Sequence, residues 1–388
     1  MIELNRTISS LTPSKSVTLM EKTKAMQKVD SSIINLTGGE PDFPTPAPIC
    51  EEAYRQMMAG YTHYIDGPGI MELREALAKK LQEENGAFYT PDQIFVTPGG
   101  KFAVYLAVQS VMNPGDEAIW LTPGWVSYPS IIESSGGIPV AVHLKWDEDY
   151  RITYEALAEA TTEKTKLLII NYPNNPTGKV LSETDREALA RYMRDYPNVV
   201  LISDEIYEHI VYDDHKVVSM ASYKDIADRV IVVNGFSKSY AMTGWRLGYM
   251  ACSDAIFKVA KKLFQHTMSC TSGFLQKAAL VALECKEEME QMRQSYDRRG
   301  QILYEGLNQL KGVEMKKPEG AFYAWVKFDL GMDSQQTCEY LLEQAKISGV
   351  PGIAYGEEDK VCVRYSFASS EECLYNMIEN LTALLGKK

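Results

Sequence analysis

Short apolar runs recur along the chain from residue 94 to residue 252, and polar, helix-patterned stretches separate most of them. The runs are "IFVT" (94–97), "EAIWL" (117–121), "IPVAVHL" (138–144), "KLLIIN" (166–171), "VVLISDE" (199–205), "RVIVVNGF" (229–236) and "RLGYMAC" (246–252). Continuous Val/Ile/Leu runs read as strands buried on both faces, and intervening helices are what a mostly parallel sheet requires. One intervening stretch, "SETDREALARYMRDY", offers Ser182 as a helix cap and Asp185 in an acidic first turn. The pattern changes after about residue 253. Long helical stretches there lead to shorter strands near "AFYAWVKF" and "KVCVRYSF" and then to a last helix. The expected fold is therefore α/β: a large domain (46–290) with a seven-stranded, mostly parallel sheet covered by helices, and a smaller α+β domain built from both termini (1–45 and 291–388).

Composition narrows the function. Of 388 residues, 45% are apolar and 24% charged, which is ample material for a core. A net charge of −12 speaks against nucleic-acid binding, which relies on clustered Lys and Arg. The seven cysteines are scattered and lack C-x-x-C spacing, and the five histidines form no H-E-x-x-H. Reduced thiols, no metal site and a cytoplasmic location are the expectations. No apolar run approaches the roughly 20 residues of a membrane span, and the first residues lack a signal-peptide core.

In a parallel sheet the ligand sits at the carboxyl ends of the strands. Those ends carry Gly99-Gly100-Lys101, Trp125, Asn175, Asp204 with Tyr207, and Lys238. A Gly-Gly turn opening a helix presents backbone N–H groups that suit a phosphate. It is not a Walker loop, because position 95 is Phe and Phe102 follows the lysine; no G-x-G-x-x-G follows a strand either. A lysine amine, a buried carboxylate, a stacking aromatic and hydrogen-bonding Asn and Tyr together fit a phosphorylated heteroaromatic aldehyde, pyridoxal 5′-phosphate.

Nine stretches carry a family resemblance: "TGGEPDFPTP" (37–46), "THYIDGPGIMELREAL" (62–77), "VTPGGKFA" (96–103), "NPGDEAIWLTPGWVSYP" (113–129), "NYPNNPTGKV" (171–180), "SDEIYEHIVYD" (203–213), "FSKSYAMTGWRLGY" (236–249), "PEGAFYAW" (318–325) and "VRYSFASSEE" (363–372). In these the chain resembles the fold-type I, class I pyridoxal-phosphate aminotransferases of the bacterial aspartate aminotransferase branch. The resemblance implies that Lys238 forms the Schiff base and shuttles the proton, that Asp204 pairs with the pyridinium nitrogen, and that Tyr207 and Asn175 bind the ring hydroxyl. It implies that Trp125 stacks on the ring and that Gly100, Lys101, Ser237 and Arg246 hold the phosphate. Tyr64 is implied to reach the partner subunit's phosphate, making a homodimer with shared active sites. Arg364 is implied to grip the substrate α-carboxylate beneath a segment containing Gly39.

Transamination between aspartate and 2-oxoglutarate is the implied reaction. In similar bacterial enzymes the lysine of "GGK", here Lys101, reads the distal carboxylate together with a small hydroxyl residue, here Ser16. Aromatic or broad specificity stays open, because no second arginine for that carboxylate is apparent. A C–S β-lyase would use the same lysine and aspartate. A transcriptional regulator with an aminotransferase-like sensor would need a DNA-binding module that the short stretch before Thr37 does not supply.

Overall fold

The computed structural model describes residues 2, 4–357, 359 and 361–388, the side chains of 15–17 excepted. The chain opens with helices α1 (Arg6–Ser10) and α2 (Lys15–Gln27) and a two-residue strand, β1 (Ile34–Asn35). Helices α3 (Ala47–Met58) and α4 (Met71–Asn85) lead into the strand and helix alternation. That alternation runs β2 (Ile94–Thr97), α5 (Gly100–Val111), β3 (Glu117–Thr122), α6 (Tyr128–Ser134), β4 (Ile138–His143), α7 (Tyr154–Glu159) and β5 (Thr165–Asn171). It continues with α8 (Glu183–Asp195), β6 (Val200–Asp204), β7 (Val230–Gly235) and β8 (Gly248–Ala251). All seven apolar runs become strands of one sheet, in the order β2-β8-β7-β6-β5-β3-β4. Strands β7, β6, β5, β3 and β4 pair in parallel, and only β8 runs antiparallel to its neighbours β7 and β2.

Alternation along each strand feeds two separate cores, one per sheet face. Leu168, Ile170, Leu201 and Val232 pack into the cluster that includes residues of α3, α4, α8 and α10 (Gly273–Ala282). Leu167, Ile169, Ile202 and Val233 pack into the other, which includes residues of α5, α6 and α9 (Asp254–Thr267). Every residue of β7 is buried, which is why its sequence shows no polar alternation. The anticipated cap on α8 is present as a capping box: the Ser182 hydroxyl accepts from the Asp185 N–H at 3.1 Å, and the Asp185 carboxylate accepts from the Ser182 N–H at 3.0 Å.

Beyond α11 (Lys286–Leu307) a second sheet forms from β9 (Val313–Met315), β10 (Tyr323–Phe328), β12 (Val350–Pro351) and β13 (Cys362–Ser366), in the order β12-β13-β10-β9. Helices α12 (Ser334–Ala345) and α13 (Glu371–Leu385) pack with it. Strand β11 (Ile347–Ser348) pairs in parallel with β1, so residues 34–35 join the C-terminal part directly. A third core fills this region and takes in Tyr207, Ile210 and Tyr212 from just past β6, so the two sheets meet beside the end of that strand.

Candidate active site

Three strand ends set the site. Asn171 and Asp204 are register partners at the ends of β5 and β6, and the Asn171 amide donates to the Asp204 main-chain carbonyl at 3.0 Å. Strand β7 ends at Gly235, and the turn after it carries Ser237 and Lys238. The β2–α5 junction closes the floor. Gly99 sits at φ +87°, and a Cβ there would lie 2.5 Å from Nη2 of Arg246. Arg246 itself holds a left-handed conformation (φ 54°) and donates to the carbonyls of Thr243 at 3.0 Å and Pro98 at 3.4 Å.

A cavity of about 450 Å³ opens at these ends. Its walls include Gly39, Gly100, Lys101, Trp125, Asn175, Asp204, Tyr207, Ser237, Lys238, Arg246 and Arg364, which brings eleven of the expected site residues together. Two stand apart. Tyr64 is 88% exposed and does not line the cavity. Ser16 falls in α2, and its side chain lies outside the described residues. Arg364 occupies the middle of β13, opposite Trp325, and is 4% exposed.

The charges in the cavity are poised by burial. The Lys238 amine donates to the Gly39 carbonyl, and burial with the nearby Arg364 cation pushes it down to about 8. Asp204 accepts from the Tyr128 hydroxyl at 2.8 Å and from the Ile206 N–H at 3.3 Å; burial nevertheless pushes its carboxyl up to about 6. The Arg364 guanidinium donates only to neutral acceptors among the described residues. These are Asn175 Oδ1 at 3.2 Å and the carbonyls of Thr37 at 2.6 Å and Gly38 at 3.2 Å. Its Nε is buried without a partner. The Tyr207 and Tyr323 hydroxyls share a hydrogen bond of 2.7 Å, and Arg364 lies over the Tyr323 ring at 4.5 Å. Lys101 places its amine 5.1 Å from the Trp125 ring centre, and burial followed by the Arg246 charge lowers its pKa.

Sequence reasoning missed Tyr128, Asn171, Thr37, Tyr323 and Tyr355, the last of which lines the cavity with its ring centre 5.3 Å from the Arg364 guanidinium. All but Tyr355 lie inside the motif stretches quoted above, where the partner and not the residue type was illegible.

The comparisons decide among the enzymes that such a cavity allows. Residues 31–381 match the family model "Aminotransferase class I and II". The aspartate aminotransferase of Bacillus subtilis is 36% identical, the match covering 100% of each chain. Among solved structures, the aspartate aminotransferase from Thermus thermophilus with maleate superimposes with a TM-score of 0.94 at 37% identity, over 99% of this chain and 100% of that one. An aromatic aminotransferase from Pyrococcus horikoshii gives 0.89 at 37% identity, over 93% and 98%. The chain belongs to the class I and II aminotransferases. It is an aminotransferase of fold type I and works with pyridoxal 5′-phosphate.

The residues present fit that cofactor. A buried amine lowered to about 8, a buried carboxylate that forms no ion pair among the described residues, and a backbone cradle at Gly99-Gly100 beside Arg246 match its aldehyde, ring nitrogen and phosphate in kind. The aminotransferase has no metal-like group of three or more His, Cys, Asp or Glu among the described residues, and no described helix is long and apolar enough to cross a membrane.

Proposed function

We propose that the aminotransferase moves the amino group of an L-amino acid, aspartate being preferred, to a 2-oxo acid, 2-oxoglutarate being preferred, in two half-reactions. One observation carries this reading: the Lys238 amine, pushed down to about 8, shares one cavity with a guanidinium that has a buried Nε without a partner among the described residues. An amine that loses its proton near neutrality can bond a carbonyl and then act as a base. A guanidinium fork with spare donor capacity suits a carboxylate.

Pyridoxal phosphate, when bound, supplies an electrophilic aldehyde and a ring that withdraws electrons from the substrate Cα. In this reading Lys238 would hold the cofactor by its aldehyde, with water leaving, and Nζ, released when the substrate amino group takes its place, would take the Cα proton and later return it. Asp204 holds the ring nitrogen in its protonated form, and that positive partner offsets the burial that otherwise raises the carboxyl. Tyr207 and Asn175 hold the ring hydroxyl, and Trp125 covers the ring face. Gly100, Lys101, Ser237 and Arg246 hold the phosphate, joined by Tyr64 from a second copy of the chain. Arg364 exchanges its carbonyl acceptors for the substrate α-carboxylate, close to Gly39. Residues 46–290 act as the cofactor-binding domain, and 1–45 with 291–388 as the smaller domain. A cytoplasmic location agrees with seven free cysteines.

The preference for aspartate rests on Lys101 with Ser16 as readers of the distal carboxylate. The relatives' names and the bound four-carbon dicarboxylate of the Thermus enzyme support it. Similarity to an aromatic aminotransferase favours broad specificity as a second reading. A panel of amino acids with 2-oxoglutarate, read as glutamate formed, tests both. Aspartate should lead, Lys238→Ala should abolish turnover and the visible cofactor band, and Lys101→Ser should raise KM for aspartate more than for phenylalanine. Retention of band and turnover in Lys238→Ala would refute the assignment. Equal KM effects would leave the broad reading, and pyruvate released from cystathionine without an oxo acid would point to a lyase.

A further inference from the structure

We infer that Tyr128 is a positioning residue that keeps Asp204 ionised and correctly aimed at the cofactor's ring nitrogen, an inference that rests on the role proposed for Asp204. Tyr128 is the first residue of α6 and is 2% exposed. Its hydroxyl donates to Oδ2 of Asp204 at 2.8 Å across 76 residues of sequence. The other carboxylate oxygen, Oδ1, takes the Ile206 N–H at 3.3 Å, so the two donors together fix the plane of the carboxylate. The Tyr128 ring meets Trp125 edge to face, with centroids 5.2 Å apart. One side chain therefore touches both the acid assigned to the ring nitrogen and the indole assigned to the ring face.

A hydroxyl donated to a carboxylate favours the charged form, and burial opposes that form. The Tyr128 hydroxyl lowers the Asp204 carboxyl against a burial effect that still leaves it near 6. Tyr128 cannot surrender its donor role as a phenolate, because burial and the Asp204 charge raise it well above its ordinary value. Without this hydroxyl Oδ2 would be buried with no donor, and a proton would settle on Asp204 more readily. A protonated Asp204 no longer holds a ring N–H⁺ by charge.

Tyr128→Phe keeps the ring edge on Trp125 and deletes the hydroxyl alone. Reconstitution is read with two probes, pyridoxal phosphate and its 1-deaza analogue, in which carbon replaces the ring nitrogen. The variant should bind pyridoxal phosphate about tenfold more weakly, the scale of one hydrogen bond to a charged group, and bind the deaza analogue as the parent does. Its kcat should fall while KM for the amino acid holds, since Arg364 is untouched. An equal loss with both probes would reduce Tyr128 to a packing role, and no loss with either would overturn the inference outright. Asp204→Asn serves as the reference: if it binds both probes like the parent, the role given to Asp204 fails regardless of Tyr128.

Discussion

Glu205 follows Asp204 directly, yet its carboxyl turns away from the cofactor cavity toward Ser203, Ser219 and a small apolar void bounded by Tyr172 and Leu181. Oε1 accepts from both hydroxyls, and Oε2 is buried without a partner. Burial first and the Glu208 charge second push Glu205 up to about 7, against a usual value of 4.5. The folded chain therefore holds a proton between those values that the unfolded chain releases, so stability falls as pH rises through that window. Glu205→Gln removes the titration. Relative to the parent the variant should gain up to about 3 kcal/mol between pH 4.5 and pH 7.5, at about 1.4 kcal/mol per pH unit. Urea midpoints measured across that range check it, and parallel curves for parent and variant would show that Glu205 stays ionised in the fold. None of this was legible in "SDEIYEHIVYD". Asp204 alone was singled out at the end of an apolar run, and only alternation across the sheet separates the acid facing the cavity from Glu205, which faces the core.

At the scale of elements the sequence was far more readable. Strands buried on both faces must be continuously apolar, so the interior strands appeared as runs; the edge strand β4 did too although it is only partly buried, and the Ser182 cap announced α8. Strands β1, β11 and β12 are two residues each, too short for any period to show. The antiparallel β8 is apolar like its neighbours, so direction left no trace in its composition. The element that most directly builds the site is the β2–α5 junction, where Gly99 takes a φ/ψ of +87°/162°. That region is essentially closed to other residues and costs about 1–3 kcal/mol for an L side chain. Gly99→Ala should lose stability on that scale and also push the Arg246 guanidinium aside, weakening cofactor binding. Gly115→Ala is the control, since Gly115 has φ +88° with open space around it in the turn before β3. It should lose comparable stability and keep its cofactor affinity. Thermal midpoints and cofactor titrations of the pair separate backbone strain from loss of the proposed phosphate cradle; matching cofactor affinities would remove Arg246 from the site.

For the whole molecule the outstanding feature is a residue that the cavity does not contain. Tyr64 is 88% exposed, and the helices that flank it in sequence, α3 and α4, leave Tyr54 (62%), Met58 (71%) and Met71 (45%) open to solvent. Exposed aromatic and Met side chains are typical of a subunit interface, and a tyrosine that serves a site only across such an interface would look idle in one chain. The homodimer with shared sites proposed above makes a prediction that no single-chain mechanism makes. Tyr64→Ala should weaken both sites of its own dimer, and Lys238→Ala should silence both of its own. Dissociated and reassociated together, the two variants form hybrids in which one site combines Lys238 from one subunit with Tyr64 from the other. Activity should therefore rise on mixing, to one intact site per hybrid. A mixture no more active than its components, or a monomer mass by light scattering under assay conditions, would confine Tyr64 to the surface of its own chain.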